Sequence, residues 1–172
     1  NERDCRSRLE EIRLLDPCSG SGHILVYAFE VLYAEYSKHG YGASRIAELI
    51  LSKNLYGLEI DERATQITTL LCSMVARKYD PEFFRRGVRL NILTVQSSNR
   101  VWFKNFQPQG KAKEELEYLL SAFKNATLYG ALIRTRDYDY SELRKAIANE
   151  PARRANRIAQ RLEPLIRQAE LL

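Results

Sequence analysis

A glycine-rich segment at residues 16–22, Asp-Pro-Cys-Ser-Gly-Ser-Gly, is the feature that most restricts how this chain can fold. It follows Ile12 to Leu15, a run that is apolar apart from Arg13 and is typical of a short buried strand ending in a turn. After it, apolar residues recur at intervals of three and four from Ile24 to Tyr36, which predicts an amphipathic helix ending near His39. The segment is therefore predicted to join a strand to a helix through a tight turn.

The same alternation continues along the chain. A helix at Ser44 to Leu51 precedes a second strand at Leu55 to Ile60, and Asp61 is placed to cap a helix that ends by Pro81. The apolar positions that trace this capped helix are Ala64, Ile67, Leu70, Leu71, Met74 and Val75. A third strand is predicted at Arg89 to Val95. Strands and helices that alternate in this way favour an α/β fold with an open, doubly wound parallel sheet.

The pattern changes toward the second half of the chain, which is mostly helical. Helices are predicted at Lys111 to Lys124, at Ser141 to Asn149 and from Pro151 onward. We therefore expect two parts, an α/β core at residues 1–99 and a helical segment at residues 100–172.

The spacing of glycines and charged residues decides among the ligands that such a loop can hold. A dinucleotide fingerprint has a third glycine where this chain has Leu25, and an acidic residue about 20 residues further on. Here the next acidic strand end, Glu59, lies nearly twice that far beyond Gly20. A Walker loop needs a lysine before Ser or Thr, and the segment contains no lysine. A nicotinamide site and a phosphate-binding ATPase are both disfavoured.

The arrangement suits S-adenosylmethionine. Gly20 and Gly22 let the backbone approach the ligand, the helix N-terminus faces the methionine carboxylate, and Asp16 can pair with the ammonium group. Adjacent strand ends of a doubly wound sheet meet at one crevice, so Glu59 is placed to accept hydrogen bonds from the ribose and Ile60 to lie against the adenine. A structural interpretation stays open, in which Glu59 only ends its strand and Asp16 only caps the turn.

Charge and cysteine content disfavour other classes of function. The chain has 27 basic and 22 acidic side chains, a net charge of +5 that is too mild to identify a partner. Its three cysteines, Cys5, Cys18 and Cys72, include no Cys-x-x-Cys pair, and only His23 and His39 are available as imidazole ligands. A metal site and a disulfide framework are therefore disfavoured. No run approaches eighteen uncharged apolar residues, so we expect no membrane span and a cytoplasmic location.

Two segments resemble motifs of a known family. Residues 15–25, which contain the glycine-rich segment, and residues 56–61, Tyr-Gly-Leu-Glu-Ile-Asp, resemble motifs I and II of the DNA N6-adenine methyltransferases. The resemblance is closest to the PglX-like group, the large adenine methyltransferases of BREX phage-defence systems, and covers most of residues 13–99. It implies a Rossmann-like fold that uses S-adenosylmethionine. It also implies site-specific DNA methylation in a phage-defence or restriction-modification system, with DNA and other proteins of that system as partners.

The resemblance implies roles for the residues that match the motifs. Asp16 and the two glycines would hold the methionine moiety, Glu59 the ribose and Ile60 the adenine ring. Asn91 or a near neighbour on the third strand would touch the adenine amino group, and His23 either approaches the cofactor or caps the helix. Cys18 and Ser19 stand where the commonest family form, Asp-Pro-Ala-Cys-Gly-Ser-Gly, has Ala and Cys, and both are small residues. The predicted cofactor-binding residues are Asp16, Pro17, Cys18, Ser19, Gly20, Gly22, His23, Glu59, Ile60 and Asn91.

The motif that presents the adenine in this family is absent from the chain. In the family, an Asn/Asp/Ser-Pro-Pro-aromatic segment holds a flipped base through acceptors for the amino group and a stacked ring. No two of the five prolines here are adjacent. We assign no catalytic residue, expect the motif to follow Leu172, and expect the chain alone to be inactive. A methyltransferase acting on RNA, protein or a small molecule, and a non-catalytic interaction module, stay open as alternatives.

Three arginines in the last predicted helix, Arg153, Arg157 and Arg161, repeat at intervals of four and share one face. They are placed to contact phosphates. Glu150 and Glu163 dilute the charge, so a solvated helix face is the alternative. The role of this helix, the DNA target sequence and the oligomeric state stay open.

Overall fold

The computed structural model describes residues 8–100, 106–130, 133, 135 and 139–171. The chain divides into two compact units, Asn1–Thr94 and Val95–Leu172. Cys5, one of the three cysteines, lies outside the described residues. The functional division at residue 99 stays a prediction.

The first unit alternates strands and helices. Its described strands are β1 (Leu14–Asp16), β2 (Leu55–Glu59) and β3 (Asn91–Thr94), and the α-helices that follow β1 are α1 (His23–Lys38), α2 (Ala43–Leu49) and α3 (Glu62–Tyr79). A π-helical turn, Ile50–Asn54, continues α2, and a 3₁₀ turn, Phe83–Arg86, follows α3. Each element overlaps the range that the sequence predicts for it, and all three strands are shorter than predicted.

The three strands form a parallel sheet in the order β1-β2-β3. Asp16 pairs with Gly57, and on the other side of β2 Glu59 pairs with Thr94. The prediction of a mixed α/β chain with a parallel sheet is confirmed. Because the strands run in the same direction, Asp16, Glu59 and Thr94 mark their carboxyl ends at one edge of the sheet.

A buried network aligns the starts of β1 and β2. The Tyr36 hydroxyl donates to Asn54 Oδ1 at 3.0 Å, and Asn54 Nδ2 donates to the carbonyls of Leu9 at 2.8 Å and Ile12 at 2.9 Å. Asn54 directly precedes β2, and the two carbonyls lie just before β1. Because both strands are short, aligning their starts also sets where their carboxyl ends lie.

The prediction that β1 is a buried strand is wrong for Leu15, which is 40% exposed. Leu14 packs against the core of the unit and Asp16 is buried. Successive side chains of a strand point to opposite faces of the sheet. Only alternate residues of this three-residue strand therefore reach the core.

α3 forms where the sequence predicts it, but it buries a different face. Three residues of the predicted apolar stripe, Ile67, Leu70 and Met74, are 49%, 55% and 55% exposed. The buried residues are smaller and mostly polar: Thr65, Thr68, Cys72, Ser73 and Ala76. The predicted N-cap is confirmed, because Asp61 Oδ1 accepts a hydrogen bond from the Arg63 backbone N–H at 2.8 Å. Capping chemistry thus predicts where α3 begins, whereas the apolar stripe does not predict its packed face.

The second unit is mostly helical in its described part, as predicted. Its α-helices are α4 (Lys111–Ala122), α5 (Ala126–Tyr129), α6 (Ser141–Ala148) and α7 (Ala152–Leu171), the last of which continues through Pro164. Its buried apolar residues include Leu119, Phe123, Leu143, Leu162 and Leu165. Arg144 connects α6 to α7 through ion pairs with Glu163 at 2.9 Å and Glu170 at 2.7 Å.

Candidate functional site

The glycine-rich segment is a loop bound to the end of β2. Asp16 ends β1, and its Oδ1 accepts a hydrogen bond from the Cys18 backbone N–H at 3.1 Å. The Ser19 backbone N–H donates to the Leu58 carbonyl of β2 at 2.9 Å, and the Gly22 N–H donates to the Ser19 carbonyl at 2.7 Å. The loop therefore has a defined shape before any ligand binds.

The two glycines meet different requirements. Both have positive φ angles, +51° at Gly20 and +85° at Gly22, a conformation that other residues rarely adopt. A β-carbon at Gly22 would lie 2.7 Å from Thr68 Cγ2, whereas a β-carbon at Gly20 would have no neighbour within 4 Å. Both glycines were expected to leave space for a ligand. At Gly22 that space is filled by Thr68 of α3, so only Gly20 has an open side.

The carboxylate of Glu59 lies against the loop, as the convergence of strand ends predicts. Its Oε2 accepts a hydrogen bond from the Gly20 N–H at 2.7 Å. Its Oε1 accepts from the backbone N–H groups of Ile60 at 2.8 Å and Asp61 at 3.1 Å. Glu59 thus connects the glycine loop to the turn between β2 and α3.

Two buried polar atoms of the loop make no hydrogen bond within the described part of the chain. They are Asp16 Oδ2 and Ser19 Oγ, on side chains that are each 6% exposed. Buried polar groups in proteins nearly always have a partner, and leaving one unpaired costs about 1–3 kcal/mol. An unpaired carboxylate oxygen and an unpaired hydroxyl on the same loop fit a ligand that brings its own donors, such as an ammonium group.

The other predicted residues of the loop region form an exposed rim. Pro17, Cys18, His23 and Ile60 are exposed, Ile60 by 58%. His23 is the first residue of α1, and its Nδ1 lies 2.8 Å from Ser21 Oγ. Its ring therefore interacts with the loop, while the helix N-cap itself is Gly22. These side chains lie on the loop or next to it and are open to solvent.

Asn91 is not brought together with the other predicted residues. It is the first residue of β3 and pairs with Tyr56, and its Nδ2 donates to the Ser52 carbonyl at 2.8 Å. The end of β3 that lies opposite Glu59 carries Thr94, whose Oγ1 donates to Thr65 Oγ1 at 3.0 Å. The carboxyl end of a parallel strand reaches the crevice, so Asn91 lies three positions too early. The predicted contact between Asn91 and the adenine amino group does not match this placement.

Sequence reasoning missed Thr68, which holds the loop from the side of α3. Its Oγ1 donates to the Gly20 carbonyl at 2.8 Å, and the residue is fully buried. Thr65 is buried one turn earlier. Their spacing of three on one face of a helix that starts at the candidate site was the available signal, which the larger apolar residues obscured.

Within the described ranges, no three His, Cys, Asp or Glu side chains come close enough to hold a metal ion. The helices of that same part include none long and apolar enough to span a bilayer.

Residues 2–126 match the family model described as "MmeI, DNA-methyltransferase domain". The chain is 36% identical to the adenine-specific methyltransferase BrxX of Escherichia coli O9:H4 (strain HS) over 194 residues, covering 95% of this chain and 16% of BrxX. It is 40% identical over 94 residues to the adenine-specific methyltransferase PglX of Lacticaseibacillus casei (strain Zhang), covering 55% of this chain and 8% of PglX. A putative type II restriction enzyme and methyltransferase of Methanocaldococcus jannaschii is 34% identical over 86 residues. The chain therefore spans at most about a sixth of these proteins.

Proposed function

Because the chain belongs to the MmeI DNA-methyltransferase domain family, we propose that its α/β unit binds S-adenosylmethionine in the crevice between the glycine loop and Glu59. We further propose that the unit is a Rossmann-like methyltransferase core, and that the protein containing it methylates the N6 amino group of adenine in DNA. Two similar proteins named as adenine-specific methyltransferases support this reading.

The proposal rests on two buried oxygens of the glycine loop that have no hydrogen-bond partner within the described residues. The loop itself is held in place by hydrogen bonds to β2 and α3. Asp16 Oδ2 would accept a hydrogen bond from the ammonium of the methionine moiety, and Ser19 Oγ lies on the same loop. The N-terminus of α1 would face the methionine carboxylate, because its unpaired N–H groups favour negative charge. The open side of Gly20 leaves room for the ligand there.

The proposed ribose contact uses the remaining capacity of Glu59. Its Oε2 accepts one hydrogen bond, from the Gly20 N–H, and a carboxylate oxygen has two lone pairs. A ribose hydroxyl would take the second. The exposed side chain of Ile60 would then cover one face of the adenine ring.

The bound cofactor would supply an activated methyl group, and the residues named here would hold and orient it. Transfer to N6 also needs acceptors on the amino group, because the nitrogen lone pair is delocalised into the ring. The 172 residues lack the Pro-Pro-aromatic sequence that supplies such acceptors in the family that the sequence resembles. We assign cofactor binding to this chain and no catalytic residue.

The biological setting is part of the proposal. A place in a phage-defence or restriction-modification system is supported by the sequence resemblance and by the relative named as a restriction enzyme and methyltransferase. DNA and other proteins of that system would be the partners. A methyltransferase acting on RNA, protein or a small molecule would use the same cofactor crevice. Identifying the molecule that receives the methyl group would distinguish such an enzyme from a DNA methyltransferase.

Calorimetric titration of the chain with S-adenosylmethionine and S-adenosylhomocysteine tests the proposal. We expect a single site. Asp16→Asn should weaken binding, because Asn keeps an oxygen for the Cys18 N–H but replaces the unpaired oxygen with a donor. Glu62→Gln, on the exposed first turn of α3, is a charge-matched control and should bind normally. Absence of binding by a wild-type chain that is folded by circular dichroism would contradict the proposal.

A further inference from the structure

We infer that Thr68 is a positioning residue for the cofactor, acting on both glycines of the loop from helix α3. The inference rests on the proposed function. Thr68 lies 48 residues after Gly20 along the chain, and its side chain is fully buried. It touches the loop and no proposed ligand group, so its effect on binding would be indirect.

The two γ-groups of Thr68 act on different glycines. Oγ1 donates a hydrogen bond to the Gly20 carbonyl at 2.8 Å. Cγ2 occupies the space that a side chain at position 22 would need, 2.7 Å from the place of a β-carbon. The hydroxyl therefore orients one peptide group, and the methyl group packs against the next glycine.

Together with Glu59, Thr68 fixes two consecutive peptide groups. Glu59 accepts from the Gly20 N–H, and Thr68 donates to the Gly20 carbonyl. Glycine has more backbone freedom than other residues, so a loop of this kind loses more entropy when it is ordered. A loop that is already ordered before the ligand arrives binds more tightly, because the ligand does not have to order it.

Three variants separate this role from general helix stability. Thr68→Val keeps the shape and removes the hydroxyl, leaving the Gly20 carbonyl without its partner. Thr68→Ser keeps the hydroxyl and removes the methyl group. Thr69→Val is the matched control, since Thr69 Oγ1 donates to the Thr65 carbonyl within the same helix at 2.8 Å.

We expect Thr68→Val to weaken S-adenosylhomocysteine binding about tenfold, the effect of losing one hydrogen bond, in calorimetry at a temperature where every variant is folded. Thr68→Ser should bind within about twofold of wild type, and Thr69→Val should bind as wild type does. Equal affinity of Thr68→Val and wild type would overturn the inference, as would equal weakening by the Val variants at 68 and 69. Failure of the wild-type chain to bind would instead contradict the proposed function.

A double-mutant cycle tests the methyl contact even if Thr68→Val does not fold. Gly22→Ala should lower the thermal midpoint, and adding Thr68→Ser should recover part of the loss because it removes the nearest atom. Additive effects of the two changes would show that Thr68 does not act on Gly22.

A separate observation concerns α7 in the helical unit. We propose that the face carrying Arg153, Arg157 and Arg161 binds the phosphate backbone of a nucleic acid. All three side chains are exposed, and their spacing of four places successive arginines about 6 Å apart along the helix. Residues 151–162 contain four arginines and no acid.

The acidic residues that flank this face form ion pairs with arginines outside the set of three. Glu150 pairs with Arg154 at 3.2 Å, and Glu163 pairs with Arg144. Within the part of the chain that the structure describes, Arg153 and Arg157 form no ion pair or hydrogen bond. The flanking acids therefore leave the charge of Arg153 and Arg157 uncompensated.

Both the positive charge of this face and its lack of exposed large apolar side chains, among the residues of α7 that the structure describes, indicate the kind of partner that it binds. Protein interfaces are usually anchored by large aromatic residues as well as by arginine. The described part of α7 exposes no large apolar side chain, because Ile158, Leu162 and Leu165 are buried on its other side. Guanidinium groups bind phosphate oxygens in pairs. A phosphate backbone fits this face better than a protein surface.

Fluorescence anisotropy with a labelled mixed-sequence DNA duplex, at several salt concentrations, tests this proposal. Arg153→Gln/Arg157→Gln should weaken binding and make the negative slope of log affinity against log salt shallower by about 2. The charge-matched control is Arg45→Gln/Arg85→Gln, which changes two exposed arginines that are already paired with Glu48 and Glu82. Equal effects of the two double variants, or no DNA binding by wild type, would overturn the proposal. Binding of an acidic protein without DNA binding would overturn it too.

Discussion

At the scale of single residues, the candidate site depends on two glycines and on two buried side chains that each have an unpaired oxygen. Gly20 and Gly22 have no side chain, so the backbone can take positive φ angles and α3 can come close. Asp16 and Ser19 each leave one buried oxygen without a hydrogen-bond partner in the described part of the chain. Unpaired atoms of this kind destabilise a protein unless a ligand binds them. These unpaired oxygens support the proposal that the loop binds a ligand.

Gly22→Ala should destabilise the protein more than Gly20→Ala does. Both variants must adopt a strained positive φ, but only the alanine at 22 also meets Thr68. We expect a difference of about 1–3 kcal/mol in the free energy of unfolding, the usual cost of overpacking. Urea denaturation of the two variants measures it, and equal losses would contradict the close contact with α3.

Glu59→Gln should weaken binding of S-adenosylhomocysteine by about 1.5–3 kcal/mol, the range for hydrogen bonds to a charged group. The variant keeps the size of the side chain but loses the charge that faces the Gly20 N–H and the proposed ribose. Calorimetry compares it with Glu62→Gln, the exposed control. Unchanged affinity would remove Glu59 from the site.

The stability of the first unit should fall in alkaline solution. Burial raises the pKa of the Cys72 thiol to about 11 and that of the Tyr36 hydroxyl to about 12. The unfolded chain loses these protons at lower pH, near 9 and 10, so stability is full below pH 9 and declines as pH rises toward 11. Thermal unfolding between pH 7 and 11 measures the trend, and Cys72→Ala should reduce the decline between pH 9 and 11.

At the scale of elements, α3 organises the site. Its first turn follows the residue that Glu59 contacts, and its buried face carries the threonine that holds the loop. The position of the glycine loop therefore depends on the position of α3. The cap at Asp61 sets where the helix begins, through its hydrogen bond to the Arg63 N–H.

Asp61→Ala should cost about 1 kcal/mol of stability, the usual value for losing an N-cap. Cofactor affinity should fall by a smaller factor than in Thr68→Val, because the loop contacts themselves remain. Chemical denaturation and calorimetry on the same samples give both quantities. A stability equal to that of wild type would show that the cap is not required for α3.

At the scale of the whole molecule, the 172 residues contain the proposed cofactor crevice but no Pro-Pro-aromatic sequence. The α/β unit holds the candidate crevice, and the described part of the other unit is mostly helical. The sequences of the two units contain no adjacent prolines followed by an aromatic residue. Binding and transfer should therefore be experimentally separable.

The 172-residue chain should bind the cofactor and yet transfer no tritiated methyl group to single-stranded or duplex DNA. Without acceptors on the amino group, N6 is a poor nucleophile, and a positioned methyl donor does not compensate for that. A longer protein that contains a Pro-Pro-aromatic segment is the positive control. Methyl transfer to adenine by this chain, abolished by Asp16→Ala, would contradict the assignment.

Local chemistry determines much of this protein. Apolar spacing, the glycines and an Asp at a helix start were enough to predict the three strands that the structure describes and the cap at Asp61, because these depend on neighbours a few residues away. Convergence of Glu59 on the loop followed as well, since parallel strands end at the same edge.

Only the tertiary structure decided which face of α3 is buried and which residue of β3 reaches the crevice. Ile67, Leu70 and Met74 are among the apolar positions that predicted α3, yet they are exposed, whereas the close approach to Gly22 requires small side chains and Thr68 meets that requirement. Asn91 lies away from the crevice because β3 ends at Thr94, and pairing with β2 sets that register. Both outcomes depend on contacts between residues far apart in the chain, which no local pattern contains.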